Sequence, residues 1–471
     1  MNMTKLITGG LLISSTGADP ADVLIDGEKI VAVMEPGSDI ATSAAASAEI
    51  IDATGKYVIP GGVDVHTHME LPFGGTAASD TFETGTIAAA WGGTTTIVDF
   101  AVQSYGRQIQ ECLDEWNAKA EGNCAIDYGF HMIIGDVNDD SLREMNRLVD
   151  DGITSFKLFM AYPGVFLSDD RQILRAMQTA ADNGGLIMMH AENGIAIDLL
   201  AEQAIARGET DPINHGLVRR EELESEATHR AIKLAKVGDA PLYIVHLSAS
   251  EALEEVARAR NNGANVFAET CPQYLYLSLE EHLGAPGFEG AKYVCSTPLR
   301  SKHEHHAADL WKGLRANDLS VVSTDHCPFC FKDQKELGKD DFRAIPNGIG
   351  SVEHRMDLIY QGVLAGEITL PRWVELCSTT PARMFGMYPQ KGAIQAGADA
   401  DIVLYDPKAT WNISADNHHM NMDYSAYEGF EVQGKVDTVM SRGEIVIRDN
   451  AFHGKPGNGK YIKRGLTQYL V

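Results

Sequence analysis

The chain has 471 residues, of which 44% are hydrophobic and 22% are charged, as expected for a folded protein with a large core. Its formal net charge of −27 excludes nucleic acid and anionic membrane surfaces as partners, because a strongly acidic surface repels both. The sequence has no apolar run near the roughly 20 residues that a membrane-spanning helix requires.

Both ends of the chain carry short β-like runs broken by Gly, Asp and Pro. These runs are Val23–Ile25, Ile30–Val33 and Tyr57–Ile59 near the N-terminus, and Ile402–Tyr405, Trp411–Ile413, Val436–Met440 and Glu444–Ile447 near the C-terminus. Neither end is large enough to fold alone. We therefore expect residues 1–58 and 393–450 to pack together as one small β-sandwich domain. The tail, residues 451–471, is then available for contact with a neighbouring subunit.

Residues 59–392 alternate apolar, β-branched runs with longer helical stretches. The predicted strands are Val63–His66, Thr95–Phe100, Tyr128–Ile134, Ser155–Phe159, Leu186–His190, Leu242–His246, Asn265–Ala268 and Leu319–Ser323. The predicted helices between them include Ser141–Asp150, Gln172–Asp182, Glu221–Lys236 and Glu251–Asn261. Eight parallel strands with intervening helices indicate an α/β fold, a (β/α)8 TIM-like barrel, whose active site lies at the carboxyl ends of the strands.

The seven cysteines are scattered and odd in number, which argues against a disulfide framework and for a reducing cytoplasm. The first residues have no small-residue cleavage pattern and are interpreted as a strand and turn rather than a secretory signal. Cys327 and Cys330 have CxxC spacing. Since a structural zinc site usually needs a second such pair, we interpret them as ordinary buried thiols.

Metal-binding side chains stand at the carboxyl ends of several predicted strands. They are His66 and His68 after the first strand, Lys157 in the fourth, His190 in the fifth, His246 in the sixth and Asp325 after the eighth. His66 and His68 are two residues apart and face the same way in a strand, so both can reach one ion. Imidazole and carboxylate suit zinc and similar divalent ions. A single histidine at a strand end is more often structural, but the joint arrangement predicts a metal site.

Lys157 does not fit such a site as an ordinary ammonium. A protonated amine has no lone pair to offer, and burying it beside cations is strongly unfavourable. Either Lys157 forms a buried structural ion pair, or it is neutral or chemically altered.

Several blocks of the sequence resemble the dihydropyrimidinase and D-hydantoinase family of the amidohydrolase superfamily. The matching blocks are residues 61–68, 73–76, 156–162, 190–194, 269–274, 325–329 and 345–348, and the similarity continues through Phe452–Tyr461. The resemblance therefore covers essentially the whole chain.

This resemblance implies a centre of two divalent metal ions, usually zinc. One ion would be held by His66, His68 and Asp325, and the other by His190 and His246. Lys157, carboxylated by carbon dioxide, would bridge the two. A hydroxide between ions about 4 Å apart would be the nucleophile, since the ions lower the pKa of water and polarise the attacked carbonyl.

The resemblance also assigns roles around the metals. Asp325 would act as general base and then acid, and the Tyr162 hydroxyl would donate to the oxyanion of the tetrahedral intermediate. Main-chain groups of Ser296 and Asn347 would hold the amide edge of a cyclic imide. The chain departs from the family at Thr297, where proline is common, and this leaves the backbone geometry beside Ser296 open.

The residues after His68 favour an uncharged substrate ring. Dihydroorotate-cleaving relatives place an arginine shortly after their HxH motif, whereas this chain has Met69-Glu70-Leu71-Pro72-Phe73. Leu71, Phe73 and Phe159 are candidates for the wall against a ring substituent, and core packing is the alternative role for each.

We therefore expect hydrolysis of 5,6-dihydropyrimidines (dihydrouracil and dihydrothymine, a step of pyrimidine catabolism) and of hydantoins to N-carbamoyl amino acids in the cytoplasm. The resemblance implies that the enzyme is a homotetramer. An allantoinase and a non-catalytic structural homologue are the alternatives. The remaining histidine clusters carry no metal prediction. His303, His305 and His306 are expected on a solvated helix face, and His418 and His419 are expected to be structural or at a subunit contact.

Overall fold

The computed structural model describes residues 4–470, which form a mixed α/β fold. The strands are β1 Lys5–Thr8, β2 Leu11–Ile13, β3 Ala18–Pro20, β4 Asp22–Asp26, β5 Lys29–Met34, β6 Glu49–Asp52, β7 Tyr57–Pro60, β8 Gly62–Thr67, β9 Pro72–Phe73, β10 Thr76–Ala77, β11 Thr94–Val102, β12 Asp127–Ile133, β13 Ser155–Phe159, β14 Leu186–His190, β15 Leu242–Ile244, β16 Val266–Thr270, β17 Val321–Val322, β18 Ile402–Asn412, β19 Glu431–Ser441, β20 Glu444–Arg448 and β21 Ala451–Phe452.

The helices are α1 Asp39–Ala45, α2 Phe82–Trp91, α3 Ile109–Ala120, α4 Asp139–Asp150, α5 Asp170–Asn183, α6 Gly194–Ala206, α7 Ile213–Leu217, α8 Glu221–Gly238, α9 Ser250–Asn261, α10 Pro272–Tyr276, α11 His306–Ala316, α12 Arg355–Leu364, α13 Leu370–Val374 and α14 Thr380–Met384. Shorter 3₁₀ and π turns lie at 279–283, 289–293, 335–338, 342–344 and 375–379. Within residues 4–470, every helix is too short or too polar to cross a membrane.

Eight parallel strands build the predicted barrel, in the order β8, β11, β12, β13, β14, β15, β16 and β17. Each predicted strand coincides with one of them. The sheet curls until β8 meets the segment after β17, where Thr67 pairs with His326 and the His326 N–H donates to the His66 carbonyl at 3.3 Å. These contacts bring the first and last strands together at their carboxyl ends, where the predicted metal ligands lie.

The helices between the strands begin where the sequence supplies capping residues. Asn138 caps α4 and exchanges hydrogen bonds with Ser141, while Asp169 and Gln172 form the same reciprocal box at α5. Such boxes satisfy amide groups that the first helical turn leaves unpaired.

The two ends of the chain form two further sheets outside the barrel. A seven-stranded sheet joins N-terminal β7 antiparallel to C-terminal β18, and a four-stranded sheet holds β4, β5, β1 and β6. Side chains from both sheets share one apolar cluster, which includes Ile7 and Val23 from the smaller sheet and Val58, Ile402 and Met440 from the larger. This is the arrangement expected of a β sandwich, and we propose the boundaries 58/59, 392/393 and 450/451 for the parts of the chain.

The tail returns to its own barrel at the amino-terminal end of the strands. Tyr461 pairs with Tyr128 of β12, and the Arg464 guanidinium, itself buried, donates to the Phe130 carbonyl at 2.5 Å and to the Ser155 hydroxyl at 2.9 Å. In the described chain the tail thus packs against the end of the barrel opposite the candidate site.

A buried lysine ties the β sandwich to the barrel. The Lys391 amine lies 2.5 Å from Asp127 of β12, 2.7 Å from Asp401 and 3.0 Å from Asp399, and it is fully buried. Arg442 pairs with Asp127 as well. The Lys391 pKa is raised, because the attraction of the three carboxylates exceeds the cost of burial.

Replacing Lys391 with methionine should destabilise the protein by about 3–5 kcal/mol, because three clustered carboxylates would lose their central cation. Chemical unfolding monitored by circular dichroism measures this change. Lys408→Met, at an exposed position on β18, is the matched control and should leave the unfolding midpoint unchanged. Equal stability of the two variants would show that this charge cluster does not hold the two parts together.

Candidate metal centre and active-site pocket

His66, His68 and Asp325 converge at the junction of the first and last barrel strands. The Asp325 Oδ1 atom lies 3.1 Å from His66 Nε2 and 3.3 Å from His68 Nε2. All three side chains are buried, and their ligand atoms lie within 4.8 Å of one another. The sequence predicted this group, and its atom types and spacing suit one divalent ion.

His190 and His246 face each other beside this group. Their Nδ1 and Nε2 atoms, respectively, are 2.9 Å apart, and the His246 ring centroid is 5.4 Å from that of His66. Both rings are buried. Two imidazole nitrogens pointed at one buried space form a second donor set.

Lys157 of β13 places its amine next to the first set, 2.9 Å from His66 Nε2. Its side chain is 1% exposed, and no carboxylate among the described residues lies within 4.0 Å of the amine, so a structural ion pair does not account for it. Burial lowers the Lys157 pKa to about 8. A neutral amine is the form that reacts with carbon dioxide, and the lowered pKa increases the fraction of Lys157 in that form.

An outer layer of carboxylates orients the histidine rings. Glu269 of β16 pairs with His66 Nδ1 and accepts a hydrogen bond from Tyr243 at 2.8 Å. Glu192 pairs with His190 Nε2 at 2.8 Å. A ring nitrogen that donates outward leaves the other nitrogen with its lone pair directed into the site. The sequence blocks containing Glu192 and Glu269 were recognised, but their roles were missed.

Two of these strands end earlier than the sequence predicts. β15 stops at Ile244 and β17 at Val322, and the chain then adopts positive φ values at His246 (38°) and Asp325 (50°). The left-handed backbone turns the chain out of the sheet, so that each side chain points across the barrel mouth. Non-glycine residues in this region are costly and cluster at functional sites.

The electrostatics keep His68, His246 and Asp325 in their ligand forms. Burial lowers the pKa of His68 to about 3 and that of His246 well below its usual value, so both rings are neutral. Burial also acts to raise the Asp325 pKa, but His66 and His68 outweigh it and the pKa lies well below its ordinary value. Neutral imidazoles and an ionised carboxylate are what divalent metals require, so the residues present fit a metal centre.

A small cavity opens beside these donors. Its lining residues are His68, Leu71, Phe73, Ile133, Lys157, Phe159, Tyr162, Phe166, His190, His246, Ser296, Asp325, Cys327, Asn347 and Gly348. Each side chain predicted to contact substrate is in this group, whereas Ile133, Phe166, Cys327 and Gly348 were missed. Phe166 stacks on Phe159 with ring centroids 4.9 Å apart. Its position seven residues after Phe159 in the sequence could have indicated that it lines the same cavity.

The polar wall of the cavity is formed by Tyr162, Ser296 and Asn347. The Asn347 side-chain amide donates to the Ser296 hydroxyl at 3.1 Å and to the Tyr162 hydroxyl at 3.4 Å. Burial raises the pKa of Tyr162 to about 12, which keeps its hydroxyl protonated as a donor. Thr297 donates its hydroxyl to the His246 carbonyl at 2.9 Å.

Of the other histidines, His303 and His305 are exposed as expected, whereas His306 and His419 make structural contacts. The expectation of a solvated face is wrong for His306, which is 4% exposed. Although Glu221 and Glu304 lie close to it, His306 Nδ1 accepts the Ser250 N–H at 3.1 Å, so Nε2 carries the proton and cannot bind a metal. His419 stacks on Trp91 with ring centroids 3.9 Å apart.

Comparisons with known proteins agree with this geometry. Residues 57–446 match the Amidohydrolase family. The D-hydantoinase of Streptomyces coelicolor is 64% identical over the full length of both chains, and that of Geobacillus stearothermophilus is 48% identical over 100% of this chain and 98% of its own. The solved dihydropyrimidinase of Brevibacillus agri NCHU1002 superposes with a TM-score of 0.95 at 48% identity, covering 99% of each chain.

Glu269→Gln should weaken metal binding by about 10–100-fold, because the charged partner that orients His66 is lost. Competition with a chromophoric chelator measures the dissociation constant of added zinc. The control is Glu254→Gln, an exposed position on α9, which should bind zinc as the unmodified chain does. An unchanged affinity in Glu269→Gln would contradict the orienting role.

Proposed function

The chain belongs to the amidohydrolase family, and we propose that it hydrolyses the cyclic amide bond of hydantoins and 5,6-dihydropyrimidines to give N-carbamoyl amino acids. In this reaction water adds to a ring carbonyl, the ring C–N bond breaks, and a proton passes to the departing nitrogen. Relatives of this chain, identical over nearly half of their residues or more, carry the names D-hydantoinase and dihydropyrimidinase.

The main support for this proposal is that the described lining of the cavity has no charged side chains apart from those of the metal-donor set. Its charged side chains are Lys157 and Asp325, both within the metal-donor set, and the rest of the lining is apolar, aromatic or neutral. Among the described residues that line the cavity there is no arginine to pair with a carboxylate of the substrate. Because a buried unpaired charge is costly, the cavity suits an uncharged ring.

We propose that the donor set holds two zinc ions with carboxylated Lys157 between them. The proximity of Lys157 to His66 and its lowered pKa support this, since a carbamate would turn a misplaced amine into an anionic ligand. When bound, two such ions supply a water of lowered pKa and polarise the substrate carbonyl. The chain's own residues then position the ring and move the proton.

Asp325 is proposed to accept the proton of the attacking water and deliver it to the ring nitrogen. Its low pKa keeps it ionised before reaction, and its Oδ1 atom already faces the donor set. The Tyr162 hydroxyl is proposed to donate to the oxyanion. Ser296 and Asn347 are proposed to hold the amide edge of the ring, while Leu71, Phe73 and Phe159 contact its substituent.

We further propose a cytoplasmic homotetramer. All seven cysteines are free, which suits a reducing compartment. Exposed apolar side chains on α6 and α7, namely Ile195, Leu199 and Leu217, support burial of this surface against another subunit.

Purified enzyme with zinc and bicarbonate should open dihydrouracil, dihydrothymine and a 5-substituted hydantoin, and should favour the D enantiomer of the hydantoin. Loss of ring absorbance in the far ultraviolet follows each reaction, and allantoin is the comparison substrate. Faster opening of allantoin than of the other rings would replace this proposal with the allantoinase alternative.

Activity should depend on carbon dioxide through Lys157. Enzyme stripped by a chelator and reloaded with zinc in carbonate-free buffer should recover little activity until bicarbonate is added. Lys157→Met should lose activity by roughly a hundredfold or more, because a shared metal ligand is gone. With ¹³C-labelled bicarbonate, a carbamate resonance should appear in the unmodified chain and be absent from Lys157→Met. Full recovery without bicarbonate would exclude the carboxylated lysine.

A further inference from the structure

Lys335 is a second buried lysine near the cavity, and it has no carboxylate partner. Its side chain is fully buried, and no described carboxylate lies within 4.0 Å of its amine. Instead the amine donates to three main-chain carbonyls: Pro346 at 2.7 Å, Val294 at 2.9 Å and Gly348 at 2.9 Å. Three acceptors match the three N–H groups of an ammonium.

These carbonyls belong to the two segments that carry Ser296 and Asn347. Because a peptide unit is planar, fixing a carbonyl also fixes the N–H of the next residue. The bond from Lys335 to the Pro346 carbonyl therefore sets the direction of the Asn347 N–H. The Gly348 N–H donates to the Val294 carbonyl at 2.9 Å, and this bond sets the direction of the Asn347 carbonyl.

The main-chain groups of Ser296 and Asn347 have no hydrogen-bond partners among the described residues. Within residues 4–470, their N–H and C=O groups take part in no hydrogen bond. In contrast, the carbonyls of Pro346 and Gly348, which flank Asn347, are bonded to the Lys335 amine, as is that of Val294, two residues before Ser296. Free donors and acceptors at the wall of a buried cavity are costly unless a ligand pairs with them.

We propose that Lys335 is a positioning residue, which orients the main-chain donor and acceptor of Asn347, and the adjoining Ser296 segment, toward the amide edge of the ring. This inference rests on the proposed function. Lys335 touches no reacting atom and lies outside the metal-donor set.

A purely structural role accounts poorly for this lysine. Burying a charge without a counterion is unfavourable, and burial lowers the Lys335 pKa to about 7. Lys391, the structural lysine, sits among three carboxylates instead. A methionine would fill the space of Lys335 without a charge. The presence of a side chain with three hydrogen-bond donors therefore indicates that its role is to hold the three carbonyls in place.

The test compares Lys335→Met, which keeps the length of the side chain, with Lys335→Gln, which keeps two donors. For dihydrouracil and hydantoin, KM should rise about tenfold in Lys335→Met and less in Lys335→Gln, while kcat falls by less than about threefold. Bound zinc should stay at the level of the unmodified chain. Lys339→Met, at an exposed position on the same loop, should match the unmodified enzyme.

An unchanged KM in folded Lys335→Met would overturn the inference while leaving the proposed function intact. If the unmodified enzyme opened neither ring, the proposed function would fail and the inference with it. Should neither variant fold, a crystal structure of the unmodified holoenzyme with the N-carbamoyl product decides. The product should contact the Asn347 main chain, and contacts to side chains alone would overturn the inference.

Discussion

The candidate metal centre depends on one constraint: lone pairs of several ligand atoms lie close together in a buried space and repel one another. Imidazole nitrogens of His66, His68, His190 and His246 and the Asp325 carboxylate point into one buried space. Glu269 and Glu192 accept hydrogen bonds from the outer ring nitrogens of His66 and His190, which directs the other lone pair of each ring inward. Such an arrangement is stable only around positive charge. The cation site therefore depends on the orientation of the neutral rings as well as on the identity of the residues.

The barrel supplies the rigidity that this orientation needs. Tyr162, His246 and Asp325 all have positive φ, at 62°, 38° and 50°, and each lies just past a barrel strand. A residue stays in that region only when its surroundings determine its conformation. Thr297 contributes to this support by bonding the His246 carbonyl, and the Asp325 segment is held by the pairing of His326 with the first strand.

Sequence periodicity predicted the eight strands because buried parallel strands are continuous apolar runs. It also predicted the metal-binding side chains, since the carboxyl ends of all strands of a parallel barrel lie at the same end of the barrel. It could not predict Glu269, because that role depends on the register between strands separated by 203 residues. Lys335 was missed for a similar reason, as its partners are carbonyls, which have no sequence signature. His306 was misplaced because its burial involves contact with Ser250, which lies 56 residues away in the sequence.

The cavity divides recognition between main chain and side chains. Under the proposed function, the amide edge of the ring contacts peptide groups whose directions are set by peptide planarity and by the buried Lys335 amine. The ring substituent contacts the apolar side chains of Leu71, Phe73, Phe159 and Phe166, which form no hydrogen bonds with the ring. Substitution at these apolar positions can therefore change the preferred substituent while the peptide groups still present the same donors and acceptors. Recognition of the ring and preference for the substituent are thus separable in this fold.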